Sequence, residues 1–263
     1  MLSHRNLIAN IRQIGDVLNV RDDDCWMATL PLYQAFGLTV TCLMPLVEGV
    51  PVVCHPDPAD AVGIGKAVAR YRATLMCGTS TLLGLYSGHP RLHPLMFGPL
   101  RLVVTGAGRL DAAVARDFEL RFHVPVLEGY GCTETTPVAS VNLPDHLDTR
   151  WWSVQTGSKS GTVGLALPGS TFRIVDPETL EALPNGEAGR VLIGGTQIMK
   201  GYLNDPELSA RALIQRDGLR WYKTGDRGFL DDDGFLTIVD RDWRSDAAGE
   251  RRADLAVATE CRP

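Results

Sequence analysis

The sequence has no excess of basic residues, no CxxC pair and no low-complexity tract. Its 263 residues include 26 lysines and arginines against 31 aspartates and glutamates, so the net charge of −5 argues against a nucleic-acid partner. The six cysteines have neither the spacing of metal ligands nor the density of a disulfide scaffold. They therefore predict thiols that stay reduced, as in the cytoplasm.

The sequence also has no long apolar run free of helix-breaking residues. Residues 25–47 carry no charge, but Pro31, Gln34, Gly37 and Pro45 interrupt them. The first residues, MLSHRNLIANIRQ, carry charges where an export signal needs an apolar run. We therefore expect no transmembrane segment, with peripheral contact to a membrane left open.

The composition is otherwise that of a folded globular protein, with 44% hydrophobic and 22% charged residues. Between residues 50 and 128, short β-branched runs alternate with segments whose apolar residues recur at helical spacing. Strands are predicted at 50–54, 74–77, 101–105 and 124–127, and helices at 64–71, 81–86 and 110–122. This alternation predicts an α/β fold with a parallel sheet.

After about residue 140 the pattern changes to short strands separated by Gly, Pro and Asp turns. FLDDDGFLTIV at 229–239 predicts a hairpin with Asp-Gly in its turn. We therefore predict three parts: an α/β parallel-sheet part at 1–140, a β-rich subdomain at 141–241 and a loose divergent tail at 242–263.

Two glycine-containing loops directly follow predicted strands, TGAGRL at 105–110 and EGYGCTE at 128–134. Ligands of parallel sheets bind beyond the carboxyl ends of the strands, so both loops are candidate sites. Asp111 stands where a dinucleotide fingerprint needs its third glycine, which argues against a nicotinamide cofactor. Taken alone, each loop is equally well explained as a tight turn.

The second loop carries side chains suited to a nucleotide with a bound metal ion. Tyr130 offers an aromatic face, Thr133 a hydroxyl, and Glu134 a hard oxygen ligand for Mg²⁺ beside phosphate. Downstream, Asp226 is placed to accept ribose hydroxyls, with a solvated turn aspartate as the alternative. Arg241 ends a predicted strand, and its guanidinium suits ribose or phosphate oxygens.

Taken in order, these segments resemble the large domain of the adenylate-forming superfamily, the AMP-dependent synthetases and ligases. The resemblance extends over nearly the whole chain, to about Arg241, and is closest to the long-chain acyl-CoA synthetase and acyl-acyl-carrier-protein synthetase branch. The matching segments are LPLYQAFG (30–37), TGAGRL (105–110), EGYGCTE (128–134), GTVGLALPG (161–169), GEAGRVLIGG through KGYLNDPE (186–207), YKTGD (222–226) and VDR (239–241).

The resemblance implies that a carboxylate attacks the α-phosphate of Mg-ATP, giving acyl-adenylate and pyrophosphate, and that a thiol then takes the acyl group. The cofactors would be ATP and Mg²⁺, and the partners a fatty acid and either coenzyme A or acyl carrier protein. The residues implied are Glu128, Gly129, Tyr130, Gly106 and Ala107 at adenine, Thr133 at phosphate, Glu134 at Mg²⁺, Asp226 and Arg241 at ribose, and Gln34, Phe36, Leu38 and Gly131 at the acyl chain.

The sequence departs from the family pattern in three places. No Ser/Thr/Gly-rich loop ending in Pro-Lys-Gly precedes these motifs, and no lysine follows Lys223, although the family's C-terminal lid carries a catalytic lysine. Gln34 stands where many relatives have histidine, and glutamine cannot titrate. We therefore expect a fragment of an acyl-adenylating ligase that has little activity alone.

Two other hypotheses remain open. One is a noncatalytic nucleotide- or acyl-binding module, complemented by a separate chain that supplies the loop and lid, and the other is a degenerate gene remnant. The segment TGSKSGT at 156–162 looks like a phosphate loop but follows EGYGCTE instead of preceding it. We therefore expect it to be a mobile surface loop.

Overall fold

The computed structural model describes residues 1–241, so the predicted loose tail lies outside the described residues. The helices are α1 (His4–Leu18), α2 (Ala35–Leu38), α3 (Met44–Glu48), α4 (Ala61–Tyr71), α5 (Ser80–Gly88), α6 (Ala112–Phe122) and α7 (Pro206–Ala212). The strands are β1 (Trp26–Ala28), β2 (Val52–Cys54), β3 (Leu75–Gly78), β4 (Leu102–Thr105), β5 (Val126–Tyr130), β6 (Ser140–Val141), β7 (His146–Asp148), β8 (Ser153–Gln155), β9 (Leu165–Ala166), β10 (Ser170–Val175), β11 (Gly189–Gly195), β12 (Leu213–Arg216), β13 (Leu219–Leu230) and β14 (Leu236–Arg241).

A seven-stranded sheet forms the centre of the first part, in the order β2-β1-β3-β4-β5-β6-β9. Its first five strands are parallel to their neighbours, and β6 and β9 pair antiparallel beyond β5. The strands and helices predicted between residues 50 and 128 are all present. β1 was not predicted, and it lies inside the sheet between β2 and β3.

Helices cover both faces of the sheet. Successive residues of a strand point to opposite faces, so neighbouring residues pack against different helices. Met76 and Val103 pack with α4, α5 and α6. Leu75 and Leu102 pack on the other face, against α1 and the helical segment at 35–48. This arrangement is that of an α/β protein with a largely parallel sheet, as the sequence predicts.

Helix α1 connects the sheet to the β-rich part of the chain. Its N-cap, Ser3, accepts a hydrogen bond from the Asn6 backbone N–H. The Asn6 amide donates to the carbonyls of Thr196 and Ile198, at 2.7 and 2.9 Å. The Asn10 amide is buried and donates to the Val138 carbonyl at 2.7 Å. These long-range bonds fix the helix against both parts.

The β-rich part is built on a five-stranded antiparallel sheet in the order β10-β11-β13-β12, with β14 paired to β13. The predicted Asp-Gly hairpin is present between β13 and β14, and Gly234 supplies its positive φ of 86°. Since β6 and β9 complete the first sheet, the two parts share strands. The predicted division near residue 140 stays a prediction.

The uncharged residues 25–47 contribute to the core. They form β1, a loop and the helical segment, with Met27, Val40 and Met44 buried. Across residues 1–241, none of the helices combines the length and the apolar character that a membrane crossing requires.

Candidate functional site

A large open cleft of about 3210 Å³ lies where the two parts meet. It is lined by the loops that follow β4 and β5 and by residues of β13 from the other sheet. Most of the sequence-predicted site residues line it. They are Gln34, Phe36, Leu38, Gly106, Ala107, Glu128, Gly129, Tyr130, Gly131, Thr133 and Asp226.

The loop after β4 brings the predicted adenine and acyl residues together. A side chain at Gly106 would meet the Phe36 ring at 3.3 Å, so the ring lies against the loop backbone. Ala107 has a φ of 60°, a left-handed backbone conformation that residues other than glycine rarely adopt, and the residue is exposed. Phe36 and Gly106 therefore form a wall common to the two predicted pockets.

The loop after β5 folds back against the segment that leads into β6. The Ala139 N–H donates to the Tyr130 carbonyl at 2.8 Å, and Gly131 lies directly against the Pro137 backbone. Thr133 is exposed at the start of a 3₁₀ turn, Thr133–Thr135, and lines the cleft. Its hydroxyl is thus placed to meet a ligand.

Tyr130 and Asp226 join the two sheets across the cleft. The Tyr130 hydroxyl donates to Asp226 Oδ2 at 2.6 Å, and Asp226 is 6% exposed. Burial, together with the nearby Asp226 charge, raises the pKa of Tyr130 well above its usual value near 10. Tyr130 therefore stays a hydrogen-bond donor throughout the neutral range. The predicted contacts with adenine and ribose stay predictions.

Arg241 lies next to this pair in the sheet. In the β13–β14 ladder its backbone is directly opposite Asp226. Neighbouring positions in an antiparallel pair are about 5 Å apart, so the backbone of Arg241 lies beside that of Asp226, which lines the cleft.

Glu134 does not line the cleft, in contrast to the other residues of its loop. It is 5% exposed, and its Oε1 accepts a hydrogen bond from the Tyr202 hydroxyl at 2.8 Å. The Met199 N–H also donates to the Glu134 carbonyl at 2.9 Å. Tyr202 itself lines the cleft. The tyrosine was not singled out from the sequence, although it lies within the KGYLNDPE motif.

This placement bears on the predicted Mg²⁺ site. Within residues 1–241, no three acidic, histidine or cysteine side chains lie close enough together to hold a metal ion. Mg²⁺ bound by one carboxylate takes its other ligands from phosphate and water, which requires that carboxylate to face the ligand. Glu134 Oε1 bonds to Tyr202, which lines the cleft, so the carboxylate lies directly behind a cleft-lining side chain, and its predicted role at Mg²⁺ stays a prediction.

Glu128 connects the two loops through its side chain. Its Oε1 accepts a hydrogen bond from the Leu110 N–H at 3.0 Å. Burial raises the pKa of Glu128, although the Leu110 N–H and the Arg109 charge act in the opposite direction. This carboxylate therefore has a structural role between the loops, beside its predicted place at adenine.

The segment at 156–162 is a loop that lines the cleft and is partly buried, and its predicted mobility stays a prediction. Thr162 is buried, and its hydroxyl and the Lys159 N–H both contact Asn142 Oδ1 at 3.2 Å. Lys159 Nζ forms ion pairs with Asp231 at 2.5 Å and Asp233 at 2.6 Å. Hydrogen bonds to these two carboxylates raise the pKa of Lys159. The segment lines the cleft with its only lysine already paired.

Comparison with known proteins identifies relatives of this arrangement. The family model described as AMP-binding enzyme matches residues 1–203. A long-chain-fatty-acid–CoA ligase of Salmonella typhimurium is 36% identical over 245 residues, which cover 92% of this chain and 41% of that protein. A 4-coumarate–CoA ligase 2 of Nicotiana tabacum is 31% identical, over 92% of this chain and 44% of that one.

Solved structures give the same result. MatB from Rhodopseudomonas palustris, in its apo and its ATP-bound crystal structures, superimposes with a TM-score of 0.80 at 32% identity. The match covers 92% of this chain and 45% of MatB. These structures confirm the predicted α/β fold class. The chain spans less than half the length of each of these relatives.

Proposed function

The chain belongs to the AMP-binding enzyme family, as the order of its motifs predicts, and we propose that it holds the adenylate-binding cleft of an acyl-adenylating ligase. One observation carries the proposal. The loops after β4 and β5 and Asp226 of β13 are distant in sequence, yet they line one cleft. The Tyr130–Asp226 hydrogen bond joins the two sheets at that point. Such a junction suits a ligand with an aromatic base and a polar sugar.

The proposed substrates are ATP and a fatty acid, with the thiol of coenzyme A or of an acyl carrier protein as the final acceptor. A carboxylate oxygen of the fatty acid forms a bond to the α-phosphorus, and the bond from that phosphorus to the pyrophosphate oxygen breaks. The thiolate sulfur then bonds to the acyl carbonyl carbon, and AMP leaves. The residues of this chain contribute positioning, which can supply a large part of such a rate enhancement.

Each proposed role follows from where the residue lies. Thr133, exposed at the cleft, would donate a hydrogen bond from its hydroxyl to the α-phosphate oxygens. Gly106 would bring backbone close to adenine. Phe36, on the other side of Gly106, would separate the acyl chain from the nucleotide. Asp226 and Arg241 would bind ribose from neighbouring strands. Glu134 would hold Mg²⁺, whose charge would offset that of the phosphates, and no step is assigned to the ion.

Titration of the purified chain with AMP tests the proposal. We expect saturable binding of one AMP per chain, measured by isothermal titration calorimetry. We expect little or no pyrophosphate release from ATP with a fatty acid, because the chain spans less than half the length of the ligases it matches. Absence of AMP binding would overturn the site, whereas pyrophosphate release at the rate of an intact ligase would overturn the expectation of low activity.

A tyrosine variant connects that binding to the cleft. Tyr130→Phe removes the donor to Asp226, a hydrogen bond to a charged group worth about 1.5–3 kcal/mol to folding. Because Asp226 is then no longer held in position at the cleft, AMP should bind severalfold more weakly. Tyr71→Phe is the matched control, because Tyr71 is 54% exposed and does not line the cleft. Equal AMP affinity in the two variants would show that AMP binds elsewhere.

A further inference from the structure

A short hairpin, formed by β7 and β8, stands apart from both sheets. Its strands pair only with each other. Residues 144–156 are exposed, with the single exception of the half-buried Asp148. The hairpin therefore presents nearly all of its surface outside the body of the protein, on a part of the chain that the proposed adenylate site does not use.

One face of this hairpin is apolar and uncovered. Leu147 and Val154 are directly opposite each other in the antiparallel ladder, so their side chains share a face. They are 46% and 63% exposed. Their sequence neighbours in the two strands are polar and point to the other face. A two-sided pattern of this kind is typical of a strand pair that buries one face, yet no described part of the chain covers it.

Two adjacent tryptophans lie in the turn at the tip of the hairpin. Trp151 is 74% exposed and Trp152 is 76% exposed. The turn that carries them is fixed, because Asp148 Oδ1 accepts the backbone N–H groups of Arg150 and Trp151 at 2.8 and 3.3 Å. Arg150 immediately precedes the tryptophans in sequence, and Asp145 and Asp148 are the acidic residues of the same segment. The tip thus combines large apolar rings and indole N–H donors with charges of both signs.

We propose that this hairpin inserts its tip into the headgroup region of a phospholipid bilayer. Tryptophan suits that region because the ring is apolar and the N–H needs a polar partner. Arg150 complements the lipid phosphates in charge. A second copy of the chain is a poorer occupant, since a stable protein interface buries about 800 Å² on each side and this hairpin offers only four large apolar side chains. The proposal does not depend on the adenylate site.

Vesicle co-sedimentation of the full chain tests this. Wild-type protein should sediment with phosphatidylcholine vesicles, and adding phosphatidylglycerol should not strengthen the binding, because Asp145 and Asp148 outnumber Arg150 and the net charge is −5. The double variant Trp151→Ser/Trp152→Ser should show a partition coefficient at least about tenfold lower, since each indole contributes apolar area to the bound state. Failure of the wild type to sediment with either vesicle would overturn the proposal.

The control removes two other exposed apolar side chains. Leu46 and Val47 in α3 are 70% and 44% exposed, and Leu46→Ser/Val47→Ser should sediment like wild type. An equal loss of vesicle binding in both double variants would mean that the binding does not depend on the hairpin. Sedimentation velocity without lipid tests whether the hairpin instead binds a second copy of the chain. Self-association that only the tryptophan variant abolishes would assign the hairpin to that contact. AMP titration of the tryptophan variant should match wild type, which separates this test from that of the adenylate site.

Discussion

Replacing Arg101 with methionine should lower the free energy of unfolding by about 3–5 kcal/mol. The side chain of Asp24 is 1% exposed, and Arg101 donates to both its oxygens, from Nε at 2.8 Å and from Nη2 at 2.6 Å. Thr74 adds a third bond at 2.6 Å, and Arg101 also reaches the carbonyls of Leu18 and Asn19. Without the guanidinium, a buried carboxylate loses its charge partner, and the end of α1 loses its tie to the sheet.

Two further variants separate the buried charge from the lost packing. The double variant Asp24→Asn/Arg101→Met removes the charge as well, so it should recover part of the loss. Arg12→Met breaks the ion pair with Glu48, in which Arg12 is 61% exposed, and should cost less than about 1 kcal/mol. Urea unfolding measures all three. Similar losses of unfolding free energy for Arg101→Met and Arg12→Met would show that the buried ion pair stabilises the protein no more than the exposed one.

The Asp24 pair should also make stability depend on pH. Burial acts to raise the pKa of Asp24, but hydrogen bonds from Arg101 and Thr74 outweigh it and hold the pKa below its usual value near 3.8. The folded state therefore favours the charged form. Its stabilisation is complete above the unfolded pKa and is lost as the pH falls through the lower folded pKa. Urea midpoints between pH 6 and 3 should fall more steeply for wild type than for the Asp24→Asn/Arg101→Met variant.

The repeating strand and helix pattern could be predicted because its signal is local. Ile64 and Val68 recur at helical spacing and are both fully buried against the sheet. β1 gave no such signal, since Trp26–Ala28 is three residues long and lacks a β-branched residue. Its place between β2 and β3 depends on tertiary contacts, and sequence order does not reveal them.

The candidate site, like the fold, could be predicted from the sequence only in part. The loops after β4 and β5 could be located because they directly follow strands and contain glycine. The hydrogen bond that Glu134 accepts from Tyr202, 68 residues away, could not be predicted from the local motif. The hairpin at residues 146–155 was missed as well, because each of its strands has three residues and only one apolar side chain. The first case depends on a contact between distant segments, and the second on a local pattern too short to give a signal.

Replacing Gly131 with alanine should have a large effect, because there is no room for a side chain at this position, although its backbone conformation would allow one. A Cβ atom there would lie 1.9 Å from the Pro137 carbonyl oxygen and 3.0 Å from the Ala139 nitrogen. The Ala139 N–H is already bonded to the Tyr130 carbonyl, so the two segments cannot separate without breaking that bond. Gly131→Ala should therefore cost about 3 kcal/mol or more in unfolding free energy.

The same change should reach the cleft, because Tyr130 immediately precedes Gly131 and donates to Asp226. AMP affinity should fall together with stability, as measured by calorimetry and urea unfolding. Gly108→Ala is the matched control in the neighbouring loop, since a Cβ added there would have no atom within 4 Å and the φ of Gly108 is not left-handed. That variant should stay within about 0.5 kcal/mol of wild type. Wild-type stability and AMP affinity in Gly131→Ala would mean that the loop is not packed as described, and the case for the adenylate cleft would lose its geometric basis.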